Sequence, residues 1–299
     1  MYTTLTQVKQ YLGKDAATAD DNRLAGFILA AENTINAARS CCPRRQTRLF
    51  DYPLKASEPF GNYSAADRFV SQMNATSLLG AGKLALDADL LELESVVNGD
   101  GREFAPGDLV SEPANLYPRQ NLRLVRPGLC WLPGAGGQRE QVISVTGVWG
   151  WHPDYSNAWQ PVDSLAANVD AVTTSLRVTD VDGPDENGMT PRIQPGQLLR
   201  LDTEYLVCTA VDTAAELLTV RRAQNGTTAA AHASSGTLCV YRPPARIAQC
   251  ATRIAVWLYR QKDANVFDKT TILNTGVAIT PSALPTDARD MLPPARLSL

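Results

Sequence analysis

The sequence has very few of the residues on which metal and acid–base chemistry most often depend. Its 299 residues include two histidines, His152 and His232, and none of the six cysteines forms a Cys-x-x-Cys pair. Zinc sites need cysteines or histidines paired at short spacing, so we expect no metal site. The cysteines are scattered through apolar stretches, which favours reduced thiols packed as small hydrophobic side chains.

The motifs of common enzyme classes are also missing. The sequence has no Gly-x-Ser-x-Gly, no phosphate-binding loop, no His-Glu-x-x-His and no Gly-x-Gly-x-x-Gly after a strand pattern. His232 lies beside several hydroxyl residues in QNGTTAAAHASSGT, residues 224–237. A catalytic pair needs a nucleophile and a third group that orients the histidine, and sequence proximity provides neither. We therefore interpret this segment as a connection between strands and expect no catalytic residue and no cofactor; the alternative is a hydrolase that uses His232.

Long apolar stretches and an excess of positive charge are absent too. No apolar stretch approaches the roughly 20 residues that a membrane-spanning helix needs. The first residues, MYTTLTQVKQYLG, lack the basic and apolar regions of a secretory signal, so we expect none. The formal net charge is -3, which predicts no bulk attraction to nucleic acid or to an anionic membrane. We expect a protein that folds in the cytosol and has no membrane partner.

Helical patterns are present near both ends of the sequence. Thr4 and Gln7 have the spacing of a capping box before a short helix that Gly13 ends. A longer helix is predicted from the acidic pair at 20–21 to Pro43, and a third from Pro244 to about Asp263. Each has an apolar stripe that needs a partner, so we expect the two ends of the chain to pack into one helical domain.

The middle of the sequence has the alternation of β-strands. Short β-prone stretches alternate with turn residues from about residue 48, and Asn98-Gly99 or Asp100-Gly101 could form a hairpin turn. A second block of such stretches begins near Ser175, and the regular spacing predicts a small barrel or sandwich. Between its strands, DVDGPDENG lacks the ligand arrangement of an EF-hand, so we interpret it as an acidic turn.

These patterns predict an α+β fold: a small helical core built from N-terminal helices and a C-terminal helix, inserted antiparallel β barrel or sandwich regions, and an extended C-terminal tail. The expected segments are the N-terminal helices at 1–47, a first β region at 48–160, an inserted β module at 161–243, the C-terminal core helix at 244–267 and the tail at 268–299. The tail is rich in proline and small residues and cannot bury enough apolar surface to fold alone.

Aromatic residues are concentrated in TGVWGWHPDYSNAW, where the first β region ends. Flat, exposed rings could form a platform for a sugar, whereas aromatic side chains more often serve packing or interfaces. We favour packing at this position. The residues of this candidate interaction surface are Trp149, Trp151, Tyr155 and Trp159.

In this order, the segments resemble the head-to-tail connector (adaptor) proteins of tailed bacteriophages. The resemblance lies in LTQVKQYLG with DDNRLAGFILAAENTINAAR, in VISVTGVWGW, in PPARIAQCATRIAVWLYRQKD and in the ending LPTDARDMLPPARLSL. The stretch from GQLLRLDTEYLVCTAV to GTLCVYRP is similar to a small β module of phage structural proteins. Compact connectors are mainly helical, so the two β regions depart from the family pattern.

The resemblance implies a structural virion protein without enzyme activity. Twelve copies would form a homo-oligomeric ring at the neck of the virion, after assembly in the host cytoplasm. The implied partners are the portal protein, a neck or tail-completion protein, and genomic double-stranded DNA that passes nearby without specific contacts. The alternative is a tail or baseplate structural protein with a carbohydrate-binding β domain.

Two sets of residues follow from the resemblance. The implied portal-binding residues of the tail are Leu284, Pro285, Met291, Leu292, Pro293, Pro294 and Leu297. The implied ring interface comprises Arg44, Arg45, Arg48, Arg253, Trp257 and Arg260. The first three of these arginines form a basic cluster that could also touch nucleic acid.

Overall fold

The computed structural model describes residues 2–13, 18–53, 83–186, 188, 190–264, 270–272, 277–279 and 284–294. The chain divides after Cys42 and after Tyr155 into two compact units. The two outer segments form the first unit, and the segment Pro43–Tyr155 belongs to the second. Helices and antiparallel sheets are both present, as the predicted α+β class requires.

The elements are numbered along the chain. The helices are α1 (Leu5–Leu12), α2 (Asp21–Ala38), α3 (Ala245–Ala264) and α4 (Thr286–Met291). The strands are β1 (Arg44–Phe50), β2 (Lys83–Val97), β3 (Leu109–Glu112), β4 (Arg119–Leu124), β5 (Ile143–Trp149), β6 (Trp159–Ser164), β7 (Ser175–Arg177), β8 (Leu198–Leu201), β9 (Glu204–Asp212), β10 (Leu217–Arg221), β11 (Thr237–Tyr241), β12 (Thr270–Ile272) and β13 (Val277–Ile279). Strands β1 to β5 lie in the second unit, and the other elements lie in the first.

Helix α1 begins and ends as its sequence predicts. The Thr4 hydroxyl accepts a hydrogen bond from the Gln7 N–H at 3.2 Å, and Gln7 Oε1 accepts one from the Thr4 N–H at 3.1 Å. Gly13 ends the helix in the left-handed conformation at φ 65°. The predicted capping box and glycine stop are therefore confirmed.

Helix α2 ends earlier than predicted. The sequence predicts a helix that Pro43 stops, but the last helical residue is Ala38, and Arg39 is already extended at φ -167°. Cys41 explains the early end, because its N–H donates to the Tyr2 hydroxyl at 3.0 Å and its carbonyl accepts from the Tyr241 hydroxyl at 2.7 Å. These two long-range hydrogen bonds hold the backbone after α2 away from helical geometry.

The first unit contains a helical core to which both ends of the chain contribute. Helix α3 packs against α1 and α2, and the rings of Phe27 and Tyr259 meet edge to face at 6.5 Å. The Tyr259 hydroxyl donates to Asp20 at 2.5 Å, and the hydroxyls of Thr3 and Thr252 lie 2.7 Å apart. The apolar stripes thus have the partners that the sequence analysis expects.

A six-stranded antiparallel sheet completes the first unit. Its strand order is β6-β11-β8-β9-β10-β7, and its buried side chains form one apolar cluster that includes Leu199, Leu206 and Leu218. The Thr4 hydroxyl donates to Gln194 Oε1 at 2.7 Å, which ties the start of α1 to the residues before β8. The hairpin between β8 and β9 turns at Asp202, whose φ is 52°.

The second unit is built on a five-stranded antiparallel sheet with the order β1-β5-β2-β4-β3. The turn after β2 is closed by the Gly101 N–H, which donates to the Asn98 carbonyl at 2.9 Å. A Cβ at Gly99 would lie 2.2 Å from the Leu132 carbonyl oxygen, so this turn has no room for a larger residue. The predicted turn at residues 98–101 is therefore present, and packing as well as turn geometry explains its glycine.

Two finer features of the predicted fold need correction. The described strands form open sheets and no closed barrel, although one isolated bridge joins Leu165 to Val178 beyond the ends of β6 and β7. The tail is not extended throughout, because residues 284–294 include α4, which packs on α3. None of the described helices combines the length and the hydrophobicity of a bilayer span.

Candidate functional site

His232, the histidine considered for catalysis, lies in the connection from β10 to β11. Its backbone exchanges two hydrogen bonds with Val169, at 2.8 and 2.9 Å. In its buried imidazole ring, Nδ1 lies 2.7 Å from Asp202 Oδ2 and Nε2 lies 2.9 Å from Glu204 Oε2. Both ring nitrogens are therefore occupied by carboxylates.

Glu204 is the centre of this buried network. Its side chain is fully buried at the start of β9, and the Arg222 guanidinium binds both carboxylate oxygens, at 3.0 and 2.5 Å. The backbone N–H groups of Ala223 and Ala230 donate to the same carboxylate at 3.0 and 3.1 Å. The two sides of the β10–β11 connection are thus fixed to one side chain on β9.

The electrostatics of Glu204 follow from these contacts. Burial raises the pKa of a carboxyl group, because it disfavours the charged form. At Glu204 the hydrogen bonds from Arg222, from His232 and from two backbone N–H groups outweigh burial and lower the pKa to about 2. The carboxylate is therefore ionised at neutral pH, and Arg222 supplies the compensating charge.

Within the described part of the chain, both ring nitrogens of His232 contact carboxylates and neither contacts a hydroxyl group. Thr227 is the buried hydroxyl of the segment, and its Oγ1 accepts from the Tyr205 N–H at 3.0 Å and donates to the Gln224 carbonyl at 2.8 Å. Serine-type catalysis needs a nucleophile within hydrogen-bond reach of the base. The geometry around His232 instead suits a structural role, in which its contacts with Asp202 and Glu204 fix the conformation of the β10–β11 connection.

His232 stands out in the sequence as a candidate residue, but its partners do not. Asp202 and Glu204 lie about 30 residues earlier, across a strand pairing that the sequence alone does not reveal. A usable signal was the acidic residue at position 204, which starts the apolar strand EYLVCTAVD. A charge at the start of a buried strand requires a charged partner.

The aromatic residues of the candidate interaction surface do not form one exposed platform. Trp149 is 3% exposed, stacks on Phe50 at 6.0 Å and donates from Nε1 to the Gln46 carbonyl at 2.9 Å. Tyr155, also in the second unit, is 6% exposed. Packing, the interpretation favoured from the sequence, accounts for both rings.

Trp159 belongs to the first unit. It is 9% exposed and packs between the rings of Tyr205 and Tyr241, with centroid distances of 5.0 and 5.3 Å. Trp151 is half-buried. An exposed platform, the alternative considered from the sequence, finds no support at Trp149, Tyr155 and Trp159, because all three side chains are buried.

The basic cluster predicted near residue 45 lies on β1, and two of its charges have carboxylate partners. Arg45 binds Glu94 through Nε and Nη2 at 2.7 to 2.8 Å. Arg48 binds Asp87 through Nε and Nη2 at 2.9 and 2.7 Å. Arg44 is exposed. These ion pairs reduce the positive field of the cluster, which weakens the case for DNA contact at this strand.

The other residues of the predicted ring interface lie on α3. Arg253 forms an ion pair with Asp287 of α4, Trp257 is half-buried and Arg260 is exposed. They belong to the first unit, whereas Arg44, Arg45 and Arg48 belong to the second. Their role in a ring stays a prediction.

The predicted portal-binding residues lie in and around α4. Residues 284–294 are called here the C-terminal segment. In it Pro293 is buried, Pro294 is exposed, and the other predicted residues, Leu284, Pro285, Met291 and Leu292, are half-buried. Leu297 lies outside the described residues. Portal binding by this segment stays a prediction.

Three acidic side chains come together near the acidic turn. Oxygens of Asp180, Asp182 and Glu216 lie within 4.8 Å of one another, a spacing that could hold a cation. The Asp180 carboxylate already binds Arg192 at 2.5 Å, and Glu216 accepts from the Val181 N–H at 2.7 Å. The acidic turn is visible in the sequence, but the contribution of Glu216, the residue before β10, is not.

Comparison with known proteins leaves the family open. No protein-family model matches the chain, and no curated protein matches it.

Proposed function

We propose that this chain is a structural virion protein whose copies close into a ring of twelve subunits. The ring joins the portal vertex of the phage head to the neck or tail and extends the DNA channel. Its partners are the portal protein and a neck or tail-completion protein. The proposal is supported by the order of segments that resemble connector proteins and by the helical core that both chain ends build.

The observation that carries the proposal is the exposed face of α2. The solvent face of a surface helix usually presents charged side chains. Between Arg23 and Arg39 the sequence has one charged residue, Glu32, and this residue is buried and accepts a hydrogen bond from the Tyr2 N–H at 2.8 Å. The exposed residues of this stretch are Ala25, Gly26, Leu29, Ala30, Asn33, Asn36, Ala37 and Ala38.

This face has the chemistry of a helix contact between subunits. Leu29 is 58% exposed, and the residues around it are small or carry neutral amides. Small side chains let a second helix approach closely, and burial of an exposed leucine stabilises the contact. In a closed ring each subunit binds its neighbours through two different surfaces, and the face of α2 supplies one of them.

The charge of the chain suits a channel through which DNA must move. Binding to DNA depends mainly on lysine and arginine contacts with phosphates. The formal net charge here is -3, and Arg45 and Arg48 are paired with carboxylates within the sheet of the second unit. The proposed mechanism is assembly by contact, with no chemical reaction.

Leu29→Glu tests the proposed contact. The added carboxylate is well hydrated in a single subunit but would have to be buried in a ring, so we expect the variant to remain a monomer with an unchanged circular dichroism spectrum. The measurement is native mass spectrometry of the wild type and the variant at equal concentration.

Val172→Glu is the matched control. Val172 is 80% exposed on a loop of the same unit, so the same type of substitution there should leave the ring intact. A Leu29→Glu protein that forms rings as well as the control does would contradict a subunit contact at α2.

A further inference from the structure

The C-terminal segment is held on α3 at a buried cysteine. Ala288 is fully buried, and its carbonyl accepts a hydrogen bond from the Cys250 thiol, with the sulfur 3.3 Å from the oxygen. One turn further along α3, Arg253 forms an ion pair with Asp287. The segment therefore covers the Cys250 thiol.

Polar contacts also hold the far end of the segment. Arg246 Nη2 donates to the Asp290 carbonyl, and Arg39 Nη1 donates to the Pro294 carbonyl at 2.9 Å. Both contacts run from arginine side chains to backbone oxygens. They tie residues 290–294 to the start of α3 and to the end of α2.

The docking is weaker than the packing inside the helical core. Helix α4 has six residues, too few for a stable isolated helix in water, so its helical form depends on contact with α3. Among residues 284–294 only Ala288 and Pro293 are buried. The Asp287 side chain is 54% exposed, and ion pairs at such positions contribute little to stability.

Helix α3 does not depend on the segment in the same way. Its buried residues Ile247, Ala251 and Ile254 continue a stripe of the helix that packs against α1 and α2. Regions with few buried apolar contacts open at a lower free energy than the core to which they are attached. The C-terminal segment can therefore leave α3 while the three longer helices remain folded.

We propose that the C-terminal segment is a latch, which opens as a unit from a folded α3 and exposes Cys250 only in the open state. This inference does not depend on the proposed function. If both hold, the open state is the one in which the predicted portal-binding residues become available to a partner.

The cysteine provides a chemical reporter of the open state. Burial raises the pKa of Cys250 to about 11 and that of Cys208 to about 12, and a buried protonated thiol reacts poorly with alkylating reagents. Cys208 lies in the apolar cluster of the six-stranded sheet, which the latch does not cover. Exposure of Cys250 alone therefore distinguishes latch opening from unfolding of the whole unit.

The experiment is alkylation of the full-length protein with iodoacetamide, followed by peptide mass mapping at timed intervals. We expect Cys250 to react many times faster than Cys208. Arg253→Ala removes the ion pair with Asp287 and should raise the Cys250 rate by up to about five-fold, without changing the Cys208 rate. Arg289→Ala, at an exposed position of the same short helix, is the matched control and should leave both rates unchanged.

Ala288→Arg is the stronger variant, because a large charged side chain cannot occupy the fully buried position. Its Cys250 should react almost as fast as an accessible thiol, while Cys208 stays protected. Equal rates at Cys250 and Cys208 in the wild type, or an unchanged Cys250 rate in Ala288→Arg, would overturn the proposal. If Ala288→Arg does not fold, the comparison of the Cys250 and Cys208 rates in the wild type decides.

Discussion

At the scale of single residues, Glu204 combines a negative charge with full burial. It is fully buried and ionised, and Arg222, His232 and two backbone N–H groups all bind it. A buried ion pair contributes little net stability compared with apolar packing, but the loss of one partner leaves an uncompensated charge. The network therefore acts mainly to fix one conformation of the β10–β11 connection.

Glu204→Gln should lower the free energy of unfolding by about 3 kcal/mol at neutral pH, because the Arg222 charge, which is 6% exposed, loses its counter-ion. The pKa of Glu204 is lowered from 4.5 to about 2 in the folded protein. Its contribution is therefore complete above about pH 4.5 and is lost as the pH falls towards 2. Urea unfolding between pH 2 and pH 7 measures both effects.

Glu186→Gln provides the control, since Glu186 is exposed and its substitution should leave the stability at neutral pH nearly unchanged. The difference in stability between the wild type and Glu204→Gln should shrink between pH 4.5 and pH 2. A constant difference over this range would contradict the account of Glu204.

The sequence predicts single residues well where their partners are local. The Thr4 and Gln7 side chains lie three residues apart in the chain, and their capping box is as predicted. The partners of His232 lie 28 and 30 residues away, so neither the histidine's environment nor the buried arginine could be derived from the surrounding residues. The roles of His232 and Arg222 therefore depend on contacts with residues that are distant in the sequence.

At the scale of elements, the exposed face of α2 is the surface that we propose as a contact between subunits. Gly26 lies in its interior, and a Cβ there would meet nothing within 4 Å. Gly26→Ala should therefore raise the free energy of unfolding of the single subunit by about 0.5–1 kcal/mol, because alanine is the better helix former. The same methyl group would separate two closely packed helices, so we expect a less stable ring.

The measurement combines urea unfolding of the dilute subunit with native mass spectrometry of the wild type and the variant at equal, higher concentrations, where we expect the proposed ring to form. Gly107→Ala, at an exposed glycine of the second unit with equally open surroundings, is the control for the ring. A more stable Gly26→Ala subunit with an unweakened ring would exclude Gly26 from the contact.

The end of a helix can be set by its own residues or by residues far away in the chain, and α1 and α2 illustrate the two cases. Gly13 ends α1 through its own backbone conformation, and the sequence predicts this end. The end of α2 depends on Tyr2 and Tyr241, which hold Cys41 from 39 and 200 residues away. The local sequence therefore predicts a stop at Pro43, five residues after the last helical residue.

At the scale of the whole molecule, the α+β class and the joining of the two chain ends follow from apolar periodicity. The order of strands in the sheets does not follow from it. The alternation within a strand defines the two faces of that strand but does not specify which strands lie next to it. Strand β1 illustrates this limit, since Arg44 starts a strand within a segment that the sequence analysis assigned to the N-terminal helices. Packing of the aromatic residues around position 150 was favoured from the sequence, but their division between two units was not foreseen.

We propose that copies of this chain close into a ring, and this proposal can be tested directly. The most direct test is native mass spectrometry of the purified full-length protein, with negative-stain images of the same sample. We expect particles with twelve times the mass of one chain and ring-shaped images with a central channel. A protein that remains monomeric at every concentration measured, and that forms no ring when mixed with portal-bearing heads, would contradict the proposed ring.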